Sequence, residues 1–191
     1  MTTVSIIGKG NMGTAIGGIV AAGGNTVEYV GRDASDPITG DIVVLAVPHT
    51  ALDEIVATRG ADLAGKIVVD ITNPLNFETF DSLVVPADSS RASLLAQALP
   101  ESRVLKAFNT NFAATLASKT VGGAQPTTVL VAGDDELAKQ ALIDVVRAGG
   151  VDAVDAGSLA RARELEAIGF LQLTLAVQEK VGWNAGVALV A

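Results

Sequence analysis

Residues Gly8-Lys9-Gly10-Asn11-Met12-Gly13 carry the spacing G-x-G-x-x-G, between the apolar run Val4-Ser5-Ile6-Ile7 and the small-residue run Thr14 to Ala22. The chemistry this pattern serves is the holding of a pyrophosphate. Gly8 permits a tight turn out of a strand, Gly10 lets the backbone approach the phosphates, and Gly13 lets the following helix lie close on a sheet. The phosphates would sit at the helix N-terminus, where unpaired N–H groups and the macrodipole favour negative charge. Glycines also punctuate ordinary turns. Here a strand-like run precedes them and a helix-like run follows, which is the context that points to dinucleotide binding.

The second strand-like run, Thr26–Val30, ends in Gly31-Arg32. A dinucleotide fold that uses NAD commonly places an acid at this point, to bond the ribose 2′-hydroxyl. A guanidinium suits a 2′-phosphate instead, offering a planar, always charged fork. NADP(H) is therefore the expected cofactor, with Asp33 turned toward a ribose hydroxyl as the alternative.

Further along, strand ends are followed by Ala46-Val47-Pro48-His49-Thr50, Ile71-Thr72-Asn73-Pro74-Leu75-Asn76 and Phe108-Asn109-Thr110-Asn111. In an open α/β sheet such ends line the ligand crevice. Their amides and hydroxyls suit a nicotinamide, its ribose or a second ring, and they equally suit turns and helix caps. His49, the only histidine, is placed to act as a general acid or as a packed helix cap. Asn109 is a positioning candidate beside it. Tyr29, the only tyrosine, has no lysine four residues later, so the Tyr-x-x-x-Lys device for protonating a carbonyl is excluded. Lys106 reads as a structural residue within a strand. No carboxylate dyad or Ser-His-Asp set stands out. A cofactor crevice with little acid–base equipment suits hydride transfer between two rings, in which the protein supplies geometry.

The elements that must position these residues alternate. Strand-like runs lie at Val4–Ile7, Thr26–Val30, Asp41–Val47, Lys66–Ile71, Arg103–Phe108, Thr127–Ala132 and Val151–Asp155. Helical stretches are expected at Ala51–Thr58, Arg91–Leu99, Asp135–Arg147 and about Ala160–Val181. Continuous Val/Ile runs suit a parallel sheet covered on both faces, and the alternation indicates a doubly wound α/β architecture, a Rossmann NAD(P)-binding fold with a mostly parallel sheet. The stretch Gly31–Asp41 is too short for a crossover helix, so an element is expected to be lost there. In the long helix, Leu165, Ile168, Leu171 and Leu175 form an expected buried stripe, and part of that surface is a candidate face for a homodimer. The whole chain, 1–191, reads as one domain with a C-terminal extension from about residue 158.

The 191 residues carry a formal net charge of −8, which argues against a nucleic-acid partner. With no cysteine and one histidine, thiolate chemistry, disulfides, Cys-ligated metals and His-rich metal clusters are excluded. No apolar run is long enough to span a bilayer. The first strand begins almost at once, leaving no room for a signal peptide, and a cytoplasmic location is expected.

Taken together, Ile6-Ile7-Gly8-Lys9-Gly10-Asn11-Met12-Gly13, Gly31-Arg32, Val44-Leu45-Ala46-Val47-Pro48, Lys66 to Leu75, Lys106-Ala107-Phe108-Asn109-Thr110 and Ala162-Arg163-Glu164-Leu165-Glu166 resemble the NADP oxidoreductases that use coenzyme factor 420, a deazaflavin. The likeness is greatest to the small dinucleotide-binding oxidoreductases of that group. It implies that the glycine loop and Arg32 hold the NADP phosphates. It also implies that Val47, Pro48, Asn73 and Pro74 border the nicotinamide while Asn109 and Thr110 face an acceptor ring. Together with Ala46, His49 and Thr72, these make up the expected cofactor contacts. Two departures stand out. Many members carry a helix and an edge strand where this chain has only Arg32 to Asp41, so a more open adenosine end is expected. Gly31 stands where members usually have Ser or Asn. The leading expectation is an NADP(H)-dependent oxidoreductase that passes hydride to a small planar acceptor such as a deazaflavin or flavin. An NADP-binding redox sensor, and an imine or carbonyl reductase related to pyrroline-carboxylate reductases, are the alternatives.

Overall fold

Apolar β-branched runs build the centre of the molecule, because only a strand covered on both faces can bury Val and Ile at successive positions. The computed structural model describes residues 1–31 and 36–190. Its elements run β1 (Thr3–Ile7), α1 (Asn11–Ala22), β2 (Thr26–Val30), β3 (Ile42–Leu45), α2 (Leu52–Leu63), β4 (Ile67–Asp70), α3 (Arg91–Ala98), β5 (Arg103–Lys106), α4 (Ala113–Ser118), the short β6 (Thr120–Val121) and β7 (Gln125–Pro126), β8 (Thr128–Gly133), α5 (Glu136–Ala148), β9 (Asp152–Gly157) and α6 (Ala162–Val177). Single 3₁₀ turns at His49–Ala51 and Leu159–Arg161 lead into α2 and α6.

Seven strands form one sheet in the order β2-β1-β3-β4-β5-β8-β9. The first five are mutually parallel. Strand β1 lies between β2 and β3, with Ile6 opposite both Tyr29 and Val44, so the winding direction reverses there. On one face Val4, Ile6, Val44 and Val69 pack against Ile16, Ile19 and Val20 of α1 and Leu142 and Val146 of α5. On the other, Ile7, Val43, Leu45 and Val68 pack against Leu52, Ile55 and Leu63 of α2, Leu95 of α3 and Ala162 of α6. This is the doubly wound Rossmann-type arrangement expected, with a C-terminal helix.

Where the second strand returns to the third, the described residues carry neither helix nor strand. The connection is held from beneath by Arg59 of α2, which is buried and donates from Nη2 to the Asp36 carbonyl (2.6 Å), from Nη1 to the Gly31 carbonyl (3.4 Å) and from Nε to Asp62 (2.9 Å). A buried guanidinium with backbone acceptors thus ties Gly31 and Asp36 to α2.

Three features differ from the sequence-based expectation. The stretch 112–126, which carries no strand or helix signal in the sequence, forms α4 and the β6–β7 hairpin, so the chain never crosses the sheet after β5. Strand β8 therefore starts from the edge where β5 ends and runs antiparallel to it, pairing Lys106 with Ala132. Second, α6 stops at Val177. Third, of the expected stripe Leu165, Ile168, Leu171 and Leu175, only Leu165 is buried. Leu171 is 60% exposed, and the buried positions are Ala162, Leu165, Glu166, Gly169, Gln172 and Ala176. The helix turns its small and polar residues inward because it lies over polar loops rather than over the apolar sheet. No helix among the described residues is long and apolar enough to cross a membrane.

Candidate dinucleotide site and acceptor crevice

Gly8 has φ +113°, and a Cβ there would strike the Ala46 carbonyl oxygen of the neighbouring strand end. A Cβ at Gly13 would strike the Gly8 carbonyl oxygen and lie 3.3 Å from the Ala46 Cβ. These two glycines are demanded by the turn itself. Gly10 differs, since a Cβ there would meet nothing within 4 Å. It is the extended N-cap of α1 and offers no side chain to the first-turn N–H groups, and no acid stands in that turn. An open cradle with unpaired N–H donors at a helix start fits a pyrophosphate. The ammonium of Lys9 lies 5.5 Å from the centroid of the Tyr29 ring, on the side toward β2. The N–H of Gly31 donates to the Asp36 carboxylate (3.2 Å). Arg32 lies outside the described residues.

Beside this loop a crevice of about 520 Å³ opens at the carboxyl ends of the parallel strands. Gly10, Asn11 and Met12 form its rim toward α1, followed by Ala46, Val47, Pro48 and His49 after β3, and Ile71, Thr72 and Asn73 after β4. The opposite wall is Asn109, Asn111, Phe112, Ala113 and Ala114 after β5, with Leu173 of α6 and Trp183 beyond it. The structure thus brings together most of the expected contact residues. Thr110 is buried behind this wall, and Pro74 lines a separate pocket of about 310 Å³ with Asp53 and Arg91. Phe77, Phe112, Leu173 and Trp183 line the crevice beyond the sequence-based expectation. They sit in loops or far along the chain, and no local pattern marks them.

Two asparagines lock the crevice together. Asn109 donates from Nδ2 to Asn73 Oδ1 (2.9 Å) and to the Leu165 carbonyl (2.8 Å), and Asn73 donates from Nδ2 to the Asn109 carbonyl (2.9 Å). The pair fits only because α6 presents Gly169, where a Cβ would strike Asn73 Oδ1 and lie 2.9 Å from the Asn109 carbonyl oxygen. Phe108, just before, takes a left-handed φ of 62° although it is bulky and buried. Such a conformation costs about 1–3 kcal/mol and persists only where its surroundings hold it. Among the crevice residues Thr72 Oγ1, Asn109 Oδ1 and Asn111 Oδ1 are buried without a hydrogen-bond partner.

Beneath these loops lies a buried charge cluster. Lys106, reached at the end of β5 rather than within it, donates to Asp70 (2.9 Å), Glu166 (2.8 Å) and the Thr72 carbonyl (2.6 Å). Asp70 also accepts the Thr72 N–H (2.8 Å), and Glu166 accepts the N–H groups of Arg91 (3.0 Å) and Ala92 (3.3 Å), capping α3. Burial pushes the Glu166 carboxyl above its ordinary range, and the Lys106 ammonium opposes that shift. Charged residues at the ends of apolar strand runs were the available signal for this cluster, since Asp and Lys are almost never fully buried unless paired.

His49 opens the 3₁₀ turn before α2 and stacks on Phe77 with ring centroids 5.9 Å apart. Burial lowers its pKa from the usual 6.5, against a raising hydrogen bond with the Leu75 backbone, so the neutral imidazole predominates at pH 7. Among the described residues no group of three or more His, Asp or Glu is arranged to hold a metal.

Residues 27–74 match the family model described as NADP oxidoreductase, coenzyme F420-dependent. The chain is 33% identical over 162 residues to the F420-dependent NADP reductase of Methanocaldococcus jannaschii, covering 82% of this chain and 72% of that protein. It is 41% identical over 106 residues to the metalloreductase STEAP3 of Rattus norvegicus, covering 56% of this chain and 20% of that protein. Among solved structures, a candidate F420-dependent NADP-reductase from Arthrobacter sp. FB24 superposes with a TM-score of 0.85 at 23% identity, each chain covered in full. Identity with the archaeal reductase across most of both chains, joined to the glycine cradle and strand-end crevice, shows that this chain belongs to the F420-dependent NADP reductase family, a family of NADP-dependent oxidoreductases.

Proposed function

We propose that the chain passes hydride between NADP(H) and a small planar acceptor, a deazaflavin or flavin, bound in the crevice at the carboxyl ends of β3, β4 and β5. The carrying observation is one cavity of about 520 Å³ that runs from the open Gly10 cradle to an aromatic wall, a size suited to two ring systems.

In this reading the first-turn N–H groups of α1 hold the pyrophosphate over Gly10, and Arg32 takes the 2′-phosphate. Ala46, Val47, Pro48, Thr72 and Asn73 border the nicotinamide, and Asn109 faces the acceptor ring from the opposite wall. Bound NADPH supplies a hydride, and with it both electrons. The protein's part is orientation: the Asn73–Asn109 lock holds the strand-end loops at a set separation, and the buried Lys106 cluster fixes that lock to the sheet. His49, neutral and stacked on Phe77, shapes the crevice without delivering a proton, which reaches the reduced ring from solvent. The segment from about residue 158 serves the same domain as an extension. A homodimer through the exposed face of α6, where Leu171 lies, is part of this reading and is tested by light scattering.

The test is NADPH oxidation by the purified protein with a panel of deazaflavin, flavin, quinone and cyclic imine. Turnover with a planar ring acceptor is expected. Turnover confined to the imine, or tight NADPH binding with no turnover, would overturn the reading in favour of a reductase of C=N bonds or a redox sensor.

A further inference from the structure

The chain contains one tryptophan, Trp183, and it lies on the segment that follows α6. This segment is not loose. Glu179 takes a left-handed φ of 57° and turns the chain, and the N–H of Lys180 closes the helix end on the Leu175 carbonyl (2.9 Å). The Asn184 carbonyl then accepts the N–H of Gly122 in the β6–β7 turn (2.7 Å). The indole is thereby set at the mouth of the crevice, 5.0 Å from the Phe112 ring centroid and tilted 60° to it. Phe112 is buried and backs the indole, yet Trp183 remains 53% exposed. A large aromatic side chain, fixed by its neighbours and half open to a ligand crevice, is a stacking surface.

What would stack on it follows from the two walls. The rim formed by Met12 and Ala46 to Pro48 adjoins the glycine cradle, so the nicotinamide end of a dinucleotide reaches that side first. Trp183 belongs to the other wall, where Phe112, Ala113 and Leu173 make an apolar stretch beside Asn109 and Asn111, and no charged group lines it. An electron-poor planar ring gains most from an indole face in offset or tilted contact.

We propose that Trp183 is the face on which the acceptor ring stacks, and that the segment after α6 is therefore part of the acceptor site. The proposal rests on transfer to a planar acceptor as read above, and it assigns that acceptor's position. Trp183 is a positioning residue and takes no part in the chemistry.

A single tryptophan makes its emission a local reporter. The full chain, loaded with NADP⁺, is titrated with 5-deazariboflavin and with FMN, and free N-acetyltryptophanamide corrects for absorption by the ligands. Saturable quenching is expected with either ring. In steady state Trp183→Ala should raise the acceptor KM about two- to tenfold, the range set by aromatic stacking. The KM for NADPH and kcat should hold, and Trp183→Phe should recover most of the loss. An acceptor KM unchanged in Trp183→Ala would overturn the inference. So would quenching by NADP⁺ alone with a raised NADPH KM, which would place the nicotinamide on the indole. Emission that changes only with protein concentration would assign the indole to a second copy of the chain and overturn it too. Saturable quenching with no turnover in the wild type would retain the stacking site and remove the hydride-transfer reading. Normal turnover with an unaltered variant would do the reverse.

Discussion

Replacing Lys106 with Met removes the centre of the charge cluster while keeping the length of the side chain. Its ammonium makes three short contacts, to Asp70, Glu166 and the Thr72 carbonyl, and all three charged side chains are 1% exposed or less. Breaking a buried pair by deleting one partner typically destabilises by about 3–5 kcal/mol, because the other charge stays buried without compensation. Two carboxylates are left here, so the upper part of that range is expected. An unfolding entropy of roughly 2.1 cal/mol/K per residue over 191 residues corresponds to about 0.4 kcal/mol per kelvin. The melting temperature should therefore fall by about 10–12 °C at pH 7. The deficit should shrink toward pH 5. Burial already raises the Glu166 carboxyl above its unfolded value, and losing Lys106 removes the charge that opposes this shift. The folded variant then binds more protons than the unfolded chain between the two pKa values, and its stability rises as pH falls. Adding Asp70→Asn and Glu166→Gln to the variant should restore much of the loss, since a neutral replacement of a buried ion group is often tolerated. Thermal unfolding followed by calorimetry at pH 5 and pH 7 checks both statements. A loss under 1 kcal/mol at pH 7, or one that is independent of pH, would refute the idea that this cluster clamps the crevice loops.

Gly10→Val should abolish NADP(H) binding in calorimetry while leaving the circular dichroism spectrum intact, because the added carbons enter open space where the pyrophosphate is expected. Normal binding by the folded variant would reduce the glycine loop to a structural turn. Arg32→Ala should weaken NADP(H) by about 1–3 kcal/mol, as for a lost charge-assisted hydrogen bond, and leave NAD(H) nearly unchanged. Equal losses for both cofactors would refute the 2′-phosphate assignment. His49→Ala should lower single-turnover hydride transfer to a ring acceptor by far less than the ~10²–10⁴-fold of a lost general acid. Since burial lowers the His49 pKa, the wild-type rate should also show no ionisation above 6.5 from this group. A thousandfold loss with a vanished acidic limb would favour imine or carbonyl reduction.

Local chemistry in the sequence determined much of the outcome. The apolar runs specified strands buried on both faces, and the glycine spacing specified a turn in which Gly8 and Gly13 have no room for a Cβ. The shortness of Gly31–Asp41 announced a connection whose described residues carry neither helix nor strand. Strand ends named His49, Asn73 and Asn109, since in this architecture the carboxyl edge of the sheet is where loops converge. Tertiary structure decided what depended on partners distant in sequence. Hydrophobic periodicity gives α6 a leucine stripe because it assumes an apolar neighbour. This helix instead lies over the Asn73–Asn109 pair and Lys106, which call for Gly169 and Glu166. Lys106 itself is legible in the sequence only as a structural lysine within a strand. Its meaning required Asp70, 36 residues away, and Glu166, 60 residues away. Phe77, Phe112 and Trp183 share one crevice although they come from three separate parts of the chain. Aromatics set in loops have no periodic signature, so only the packing that gathers such residues could reveal the crevice they share.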